Sequence, residues 1–91
     1  MPIPNSKELL GRFVVAEIKG EVFAVQAGIE CSSYIRTSVA QELGLAFWFR
    51  DASVAIKVGG KIVTMVIAVS PDLKEDLVLG TDFLYLLDYW A

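Results

Sequence analysis

Carboxylates are the side chains in this sequence best suited to chemistry. The 91 residues include 11 Asp and Glu but no His, and Cys31 is the only cysteine. His-based triads are therefore excluded, and a single Cys with scattered carboxylates makes no zinc site. The composition therefore leaves the carboxylates as the candidate reactive groups, and no cofactor is expected.

The composition indicates a partner-binding domain. Residues 1–91 make one small domain, of which 55% is hydrophobic and only 21% charged. So small a core cannot hide that much apolar material, and the surplus should lie on a surface that another chain covers. We therefore expect a homodimer or a docking module. Nucleic acid is not expected as a partner, because the net charge is −3 and there is no run of Lys or Arg.

The composition also indicates the cellular compartment of the protein. A lone Cys allows no intrachain disulfide, and the uncharged run at residues 62–71 is too short to span a bilayer. The start of the sequence lacks the features of a signal peptide. We expect a cytoplasmic or nuclear protein, and we interpret the end at residues 90–91 as a domain boundary inside a longer chain.

Apolar alternation and turn residues predict many short strands and few helices. A tight turn is placed at Gly20 and a two-residue turn at Gly59-Gly60. Capping boxes begin at Asn5 and Ser38, and an acidic surface loop is expected at residues 70–76. The fold class is all-β, a closed or folded-over barrel. The predicted strands are residues 13–19, 21–25, 45–49, 53–58, 61–69 and 77–79, and the predicted helices are residues 6–10, 39–43 and 82–89.

The most specific pattern is LVLGTDFL at residues 77–84. An apolar strand runs into Gly80, and Thr81 and Asp82 can cap the helix that Phe83 begins. The pattern resembles the closing signature of retropepsin-like aspartic protease domains, as in retroviruses and Ty3/gypsy retrotransposons. The resemblance implies a small barrel whose catalytic loop lies upstream, against this strand, turn and helix.

In that family the catalytic loop carries Asp-Thr-Gly-Ala or Asp-Ser-Gly, and a homodimer supplies the second Asp. Counted back from Ile35 without a gap, Ala27 stands at the place of the Asp. Ile29 then replaces a Gly whose backbone would be hard for a β-branched residue. A register one residue earlier keeps Gly28 as the loop Gly but puts Gln26 at the Asp. Both registers lack the catalytic carboxylate.

The other carboxylates of the sequence do not readily replace the missing catalytic Asp. Glu30 would point elsewhere, Asp82 belongs to the closing signature, and Asp51 and residues 72–76 fall in predicted surface turns. The family's long flap hairpin is also missing, because only residues 46–52 separate the helix region from the next strand. The resemblance thus implies a retropepsin-like domain without its catalyst or its lid.

Three consecutive aromatic residues, Phe47, Trp48 and Phe49, stand in the flap region. They fit either a strand buried on both faces or an interface anchor, and both interpretations stay open. Tyr89 and Trp90 could join the same interface or cap the core. We expect an inactive domain for homodimerisation or protein–protein docking. The alternatives are an aspartic peptidase with an unusual catalytic group and a pseudo-protease that binds extended peptides without cleaving them.

Overall fold

The computed structural model describes residues 6–89, without the side chains of Ser6, Phe47 and Tyr89. Within these residues, three short helices and seven strands follow one another. The helices are α1 (Ser6–Leu9), α2 (Thr37–Glu42) and α3 (Thr81–Tyr89). The strands are β1 (Phe13–Ile18), β2 (Glu21–Gln26), β3 (Tyr34–Arg36), β4 (Phe47–Trp48), β5 (Asp51–Val58), β6 (Lys61–Ser70) and β7 (Leu77–Val78).

The strands form one sheet in the order β2-β1-β5-β6-β3-β7, and β4 pairs with β5 beside this path. All neighbours are antiparallel except β3 and β6, which run parallel. The two end strands approach each other at an isolated bridge between Ala27 and Leu79. The sheet therefore curls into a nearly closed barrel, which confirms the predicted fold class.

Strict alternation of burial explains why these segments are strands. Every second residue of β5 is buried, from Ala52 to Val58, and β6 has the complementary pattern. Since successive side chains point to opposite faces of a strand, the buried set fills the barrel. From α3, Phe83, Leu84 and Leu87 close one end of this core.

Two-residue turns set the register of both long hairpins, as predicted. Gly59 and Gly60 have φ of 57° and 89°, and the β1–β2 turn uses Lys19 at 49° and Gly20 at 85°. Turns with positive φ at both central residues match the twist of the strands that they join.

Several boundaries differ from the predictions. The strand β3 was missed, because three residues are too few to show alternation. The predicted capping box at Ser38 is wrong, since α2 begins at Thr37 with Arg36 as its N-cap and no side-chain cap bond. The predicted capping box at Asn5 lies outside the described residues.

The strand predicted at residues 45–49 is reduced to β4. Leu45 is buried and bonds through its amide to the Ala40 carbonyl (3.0 Å), so it completes the end of α2 instead. Phe49 then turns the chain with φ of 55°. Consequently Asp51 belongs to β5, not to the turn predicted at residues 50–51.

We expect the substitution Phe49→Gly to stabilise the fold. A left-handed backbone costs a residue with a Cβ about 1–2 kcal/mol, and the ring of Phe49 is 98% exposed, so little packing is lost. The entropy cost of Gly is about 0.5–1 kcal/mol, which leaves a gain in unfolding free energy of up to about 1 kcal/mol. Urea denaturation measures this gain against the control Phe49→Ala, which loses the same ring, and any contact of that ring with a partner, but keeps the Cβ. A Phe49→Gly variant less stable than Phe49→Ala would contradict the assignment.

Candidate functional site

The loop between β2 and β3, residues 27–33, is the candidate site, and its start is fixed by backbone bonds. The Ala27 amide donates to the Arg12 carbonyl (2.9 Å), and the Ala27 carbonyl accepts from the Gly11 amide (2.7 Å). The next amide, of Gly28, donates to the carbonyl of Leu79 (2.8 Å). The loop is thereby held between the beginning of β1 and the end of β7. Ala27 itself is fully buried.

Gly80 lies directly against the far half of this loop. A Cβ at Gly80 would stand 2.6 Å from the carbonyl carbon of Ser32, 2.7 Å from its oxygen and 2.8 Å from the carbonyl carbon of Cys31. These are backbone atoms, which cannot swing aside as a flexible side chain can. Gly80 does not have positive φ. The position therefore requires glycine for close approach to the loop, where the sequence analysis assigned only a turn.

The carboxylate of Asp82 joins the loop to α3. Its Oδ2 accepts from the amide of Ser33 (3.0 Å), and its Oδ1 accepts from the Ser33 hydroxyl (2.6 Å) and the Phe83 amide (2.7 Å). The hydroxyl of Ser33, a buried residue, also accepts from the Gly80 amide (2.9 Å). Both oxygens of Asp82 are thus occupied by donors that hold the fold, as expected for a residue of the closing signature.

The first amides of α3 satisfy two further carbonyls of the loop. The Thr81 amide donates to the Glu30 carbonyl (2.9 Å), and the Asp82 amide donates to that of Cys31 (3.3 Å). These amides have no partner within a helix, so the loop supplies one. The predicted start at Phe83 is wrong, because α3 begins at Thr81 and both Thr81 and Asp82 lie in its first turn. Asp82 still accepts from the Phe83 amide, whereas Thr81 donates through its hydroxyl to the Cys31 carbonyl (3.4 Å).

The loop holds no aspartate. Glu30 is the one carboxylate within residues 26–33, and it is exposed. Of the two positions predicted to replace the family's Asp, Ala27 is buried, while Gln26 is exposed and donates from Nε2 to the Gly11 carbonyl (2.8 Å). Ile29 is 58% exposed and its φ is not positive, so the strain expected for a β-branched residue there is absent.

The aromatic residues predicted as an interface lie partly outside the described side chains. Trp48 is 56% exposed and precedes the exposed Phe49 at the tip of the short β4–β5 hairpin. Phe47 belongs to β4 and Tyr89 ends α3, but their side chains are not described. Trp90 lies outside the described residues. Of the predicted interface residues, only Trp48 and Phe49 at the hairpin tip therefore have described side chains.

Sequence reasoning missed a groove of about 590 Å³ beside the loop. One wall is β2 with Ile29 and Glu30, and the other is the segment 74–78. That second wall includes the end of the acidic surface loop predicted at residues 70–76 and the beginning of the next predicted strand. Its position depends on contacts of Arg36, a residue distant in sequence, and so no local pattern could have revealed the groove.

Neither a metal centre nor a spanning helix emerges from the structure. Within residues 6–89, no three His, Cys, Asp or Glu side chains are grouped closely enough to hold a metal ion. No helix in that part of the chain combines the length and the apolar character needed to cross a membrane.

Comparison with solved structures identifies the fold. The chain is similar to the retroviral protease-like domain of Ddi1 from Leishmania major, with a TM-score of 0.67. The match covers 80% of this chain and 69% of the other. This is a retropepsin-like fold. The similarity between the two structures shows the fold alone, because their sequence identity is only 17%. No protein-family profile and no curated protein matches the sequence.

The substitution Gly80→Val should unfold the domain or destabilise it by at least about 3 kcal/mol, because the added atoms overlap the loop backbone. Chemical denaturation followed by circular dichroism measures the effect. The matched control is Gly60→Val, where a Cβ meets nothing within 4 Å and only the left-handed backbone resists. That control should lose about 1–2 kcal/mol. Equal losses at the two positions would contradict the close approach of Gly80.

Proposed function

We propose that the chain is a catalytically inactive retropepsin-like domain that serves as a homodimerisation or protein–protein interaction module. The main support is the loop at residues 27–33, which the resemblance aligns with the family's catalytic loop and which begins with Ala27. A methyl group cannot activate water, and hydrolysis of this type needs a pair of carboxylates.

The nearby carboxylates do not offer a substitute pair. Asp82 receives three hydrogen bonds from Ser33 and Phe83, so both of its oxygens serve the fold. Glu30 is exposed at the loop surface. In addition, the β4–β5 hairpin has strands of two paired residues and a two-residue turn, which leaves no long flap to cover a substrate.

The apolar surface supports the interaction role. Trp48 and Phe49 are exposed together at the hairpin tip, and Phe49 is held there in a left-handed backbone that a bulky residue rarely adopts. Exposed aromatic residues of this kind are enriched among the anchors of protein interfaces. We therefore assign the hairpin tip as the centre of the dimer contact.

The groove along β2 favours the second candidate function, a pseudo-protease that binds extended peptides. It adjoins the candidate loop at Ile29 and Glu30 and is large enough for several side chains. Dimerisation and peptide binding use different surfaces, so the two functions are compatible.

We expect no peptidase activity from the purified domain between about pH 3 and about pH 8. Mixed fluorogenic peptide substrates, incubated with the protein and analysed by mass spectrometry, provide the measurement. Cleavage that an inhibitor of aspartic peptidases blocks, and that Glu30→Gln or Asp82→Asn abolishes in a folded protein, would overturn the proposal of inactivity.

We expect the substitution Trp48→Ala to move the protein from dimer toward monomer. Truncation of a desolvated aromatic anchor costs about 2 kcal/mol, which raises a dissociation constant about thirtyfold. Analytical ultracentrifugation over a concentration series measures the change, and circular dichroism checks that the β-type spectrum is kept.

The matched control is Ile62→Ala, which truncates a residue of similar exposure (53%) on β6. It should leave the dissociation constant unchanged. A wild-type protein that stays monomeric at high micromolar concentration would make docking to a different protein the better assignment. A dimer unaffected by Trp48→Ala would place the contact elsewhere, with α3 the next surface to test.

A further inference from the structure

The outer edge of β2 carries backbone groups that no other strand uses. Within the described residues, β2 pairs with β1 alone, and it ends the sheet path. The two-residue turn makes Ile18 and Glu21 a hydrogen-bonded pair, and such pairs alternate along antiparallel strands. Phe23 and Val25 therefore also bond toward β1. The amides and carbonyls of the residues between them point the opposite way.

The bond from Gly28 to Leu79 supports this assignment. Gly28 is the next residue in the series of Val22, Ala24 and Gln26, and its amide donates to the Leu79 carbonyl on the side of β7 (2.8 Å). The three earlier residues have no backbone partner on that side among the described residues. They present a row of free donors and acceptors that faces the groove.

This edge lacks the features by which proteins usually prevent unwanted strand pairing. Edge strands are commonly interrupted by Pro, Lys or a bulge. Here residues 22–26 contain no charge and no Pro, and their pairing with β1 is regular over all six positions of β2. Val22 is 62% exposed. The edge is thus suited to accept another strand.

The opposite wall of the groove is fixed by Arg36. Its Nε donates to the Leu73 carbonyl (2.9 Å), its guanidinium donates to the Lys74 carbonyl, and it forms an ion pair with Asp76 (3.4 Å). The Arg36 amide also donates to the Asp76 carbonyl (3.0 Å). The groove is therefore preformed, which reduces the entropy cost of binding a peptide.

The charges around the edge identify the occupant. A hollow of about 320 Å³, lined by Glu21 and Glu42 among others, continues the groove past Val22 and Asp76. Of the carboxylates that line these two cavities, only that of Asp76 has an ion pair among the described residues. The charged residues of the two cavities are Glu21, Glu30, Glu42, Glu75 and Asp76, with Lys74 as the one cation.

We propose that the free edge of β2 binds an extended peptide segment of a partner protein in which apolar residues alternate with Lys or Arg. The peptide pairs with Val22, Ala24 and Gln26 as an added strand, a recognised mode of peptide binding. Its basic side chains meet the surrounding carboxylates, and its apolar side chains cover Val22 and Phe23. A second copy of the chain fits less well, because it brings a further net charge of −3 to an acidic groove.

The inference adds to the proposed interaction function the class of partner that binds. It rests on the proposed function in one respect, namely that the bound peptide is not cleaved. Fluorescence anisotropy with a labelled peptide of about ten alternating Val and Lys residues tests it. A peptide with Glu in place of every Lys should bind at least about tenfold more weakly. Equal affinity for the two peptides would overturn the proposal.

Backbone methylation of the peptide tests the edge pairing directly. N-methyl groups on one alternate set of residues remove the donors that face β2, whereas methyl groups on the other set face away. We expect one methylated peptide to lose binding and the other to keep it. Equal effects of the two sets would exclude strand addition.

The protein side is tested with Ala24→Pro. The Ala24 amide points into the groove, so Pro should leave the β1–β2 pairing intact, as in natural edge strands, while it blocks the added strand. We expect an unchanged circular dichroism spectrum and at least about a tenfold loss of peptide affinity. Unchanged affinity in a folded variant would overturn the proposal. Should Ala24→Pro not fold, the methylated peptides still decide the question.

Charge variants provide a further check. The double variant Glu21→Gln/Glu75→Gln should bind the basic peptide about five- to tenfold more weakly, since it removes two carboxylates that can pair with the basic side chains of the peptide. Asp72→Asn, in the same acidic loop but outside the groove lining, is the matched control and should bind as wild type. Equal affinity of the double variant and the control would contradict the assigned occupant.

Other results separate this inference from the proposed function. Cleavage of the bound peptide would contradict inactivity but leave the binding site in place. No peptide binding, together with a dimer that Ala24→Pro dissociates, would make a second copy the occupant and overturn the inference while supporting dimerisation. Peptide binding that persists in a monomeric Trp48→Ala variant would support the inference independently of the dimer contact.

Discussion

The contact between Gly80 and the backbone of Cys31 and Ser32 is the constraint on which the rest of the structure depends. It lets β7 and α3 lie so close to the loop that the amides of α3 satisfy the loop carbonyls. The Asp82 carboxylate and the Ser33 hydroxyl then connect the two segments. Since α3 also delivers Phe83 and Leu87 to the core, the loop and the core are held by the same junction.

The hydrogen bonds of this junction do not depend on the side chain at the beginning of the loop. Position 27 contributes only its backbone amide and carbonyl to the hydrogen bonds, and its side chain is a buried methyl group. The frame therefore does not require a carboxylate at Ala27, whereas it does require one at Asp82. A retropepsin-like fold can in this way persist with an Ala at the beginning of the loop.

The sequence predicted the elements whose signals are local, and missed those that depend on distant contacts. Alternation and the Gly59-Gly60 turn located the β5–β6 hairpin, and the pattern around Gly80 located the junction with α3. The strand β3 was missed because its three residues pair with β6 and β7 far away in sequence. The groove was missed because Arg36 positions its second wall. The exposure of Trp48 was left open by the sequence, since three consecutive aromatic residues fit a buried strand equally well.

The separation in sequence between the two halves of the junction has a consequence for how the chain folds. The β1–β2 and β5–β6 hairpins close over two-residue turns, so their contacts form at small entropy cost. The bonds that join Ser33 to Gly80 and Asp82 instead link residues 47 and 49 positions apart, and the parallel pairing of β3 with β6 is also nonlocal. Nonlocal pairing slows folding. The topology therefore favours closure of the two hairpins, and it makes the docking of α3 on the loop the step with the larger entropy cost.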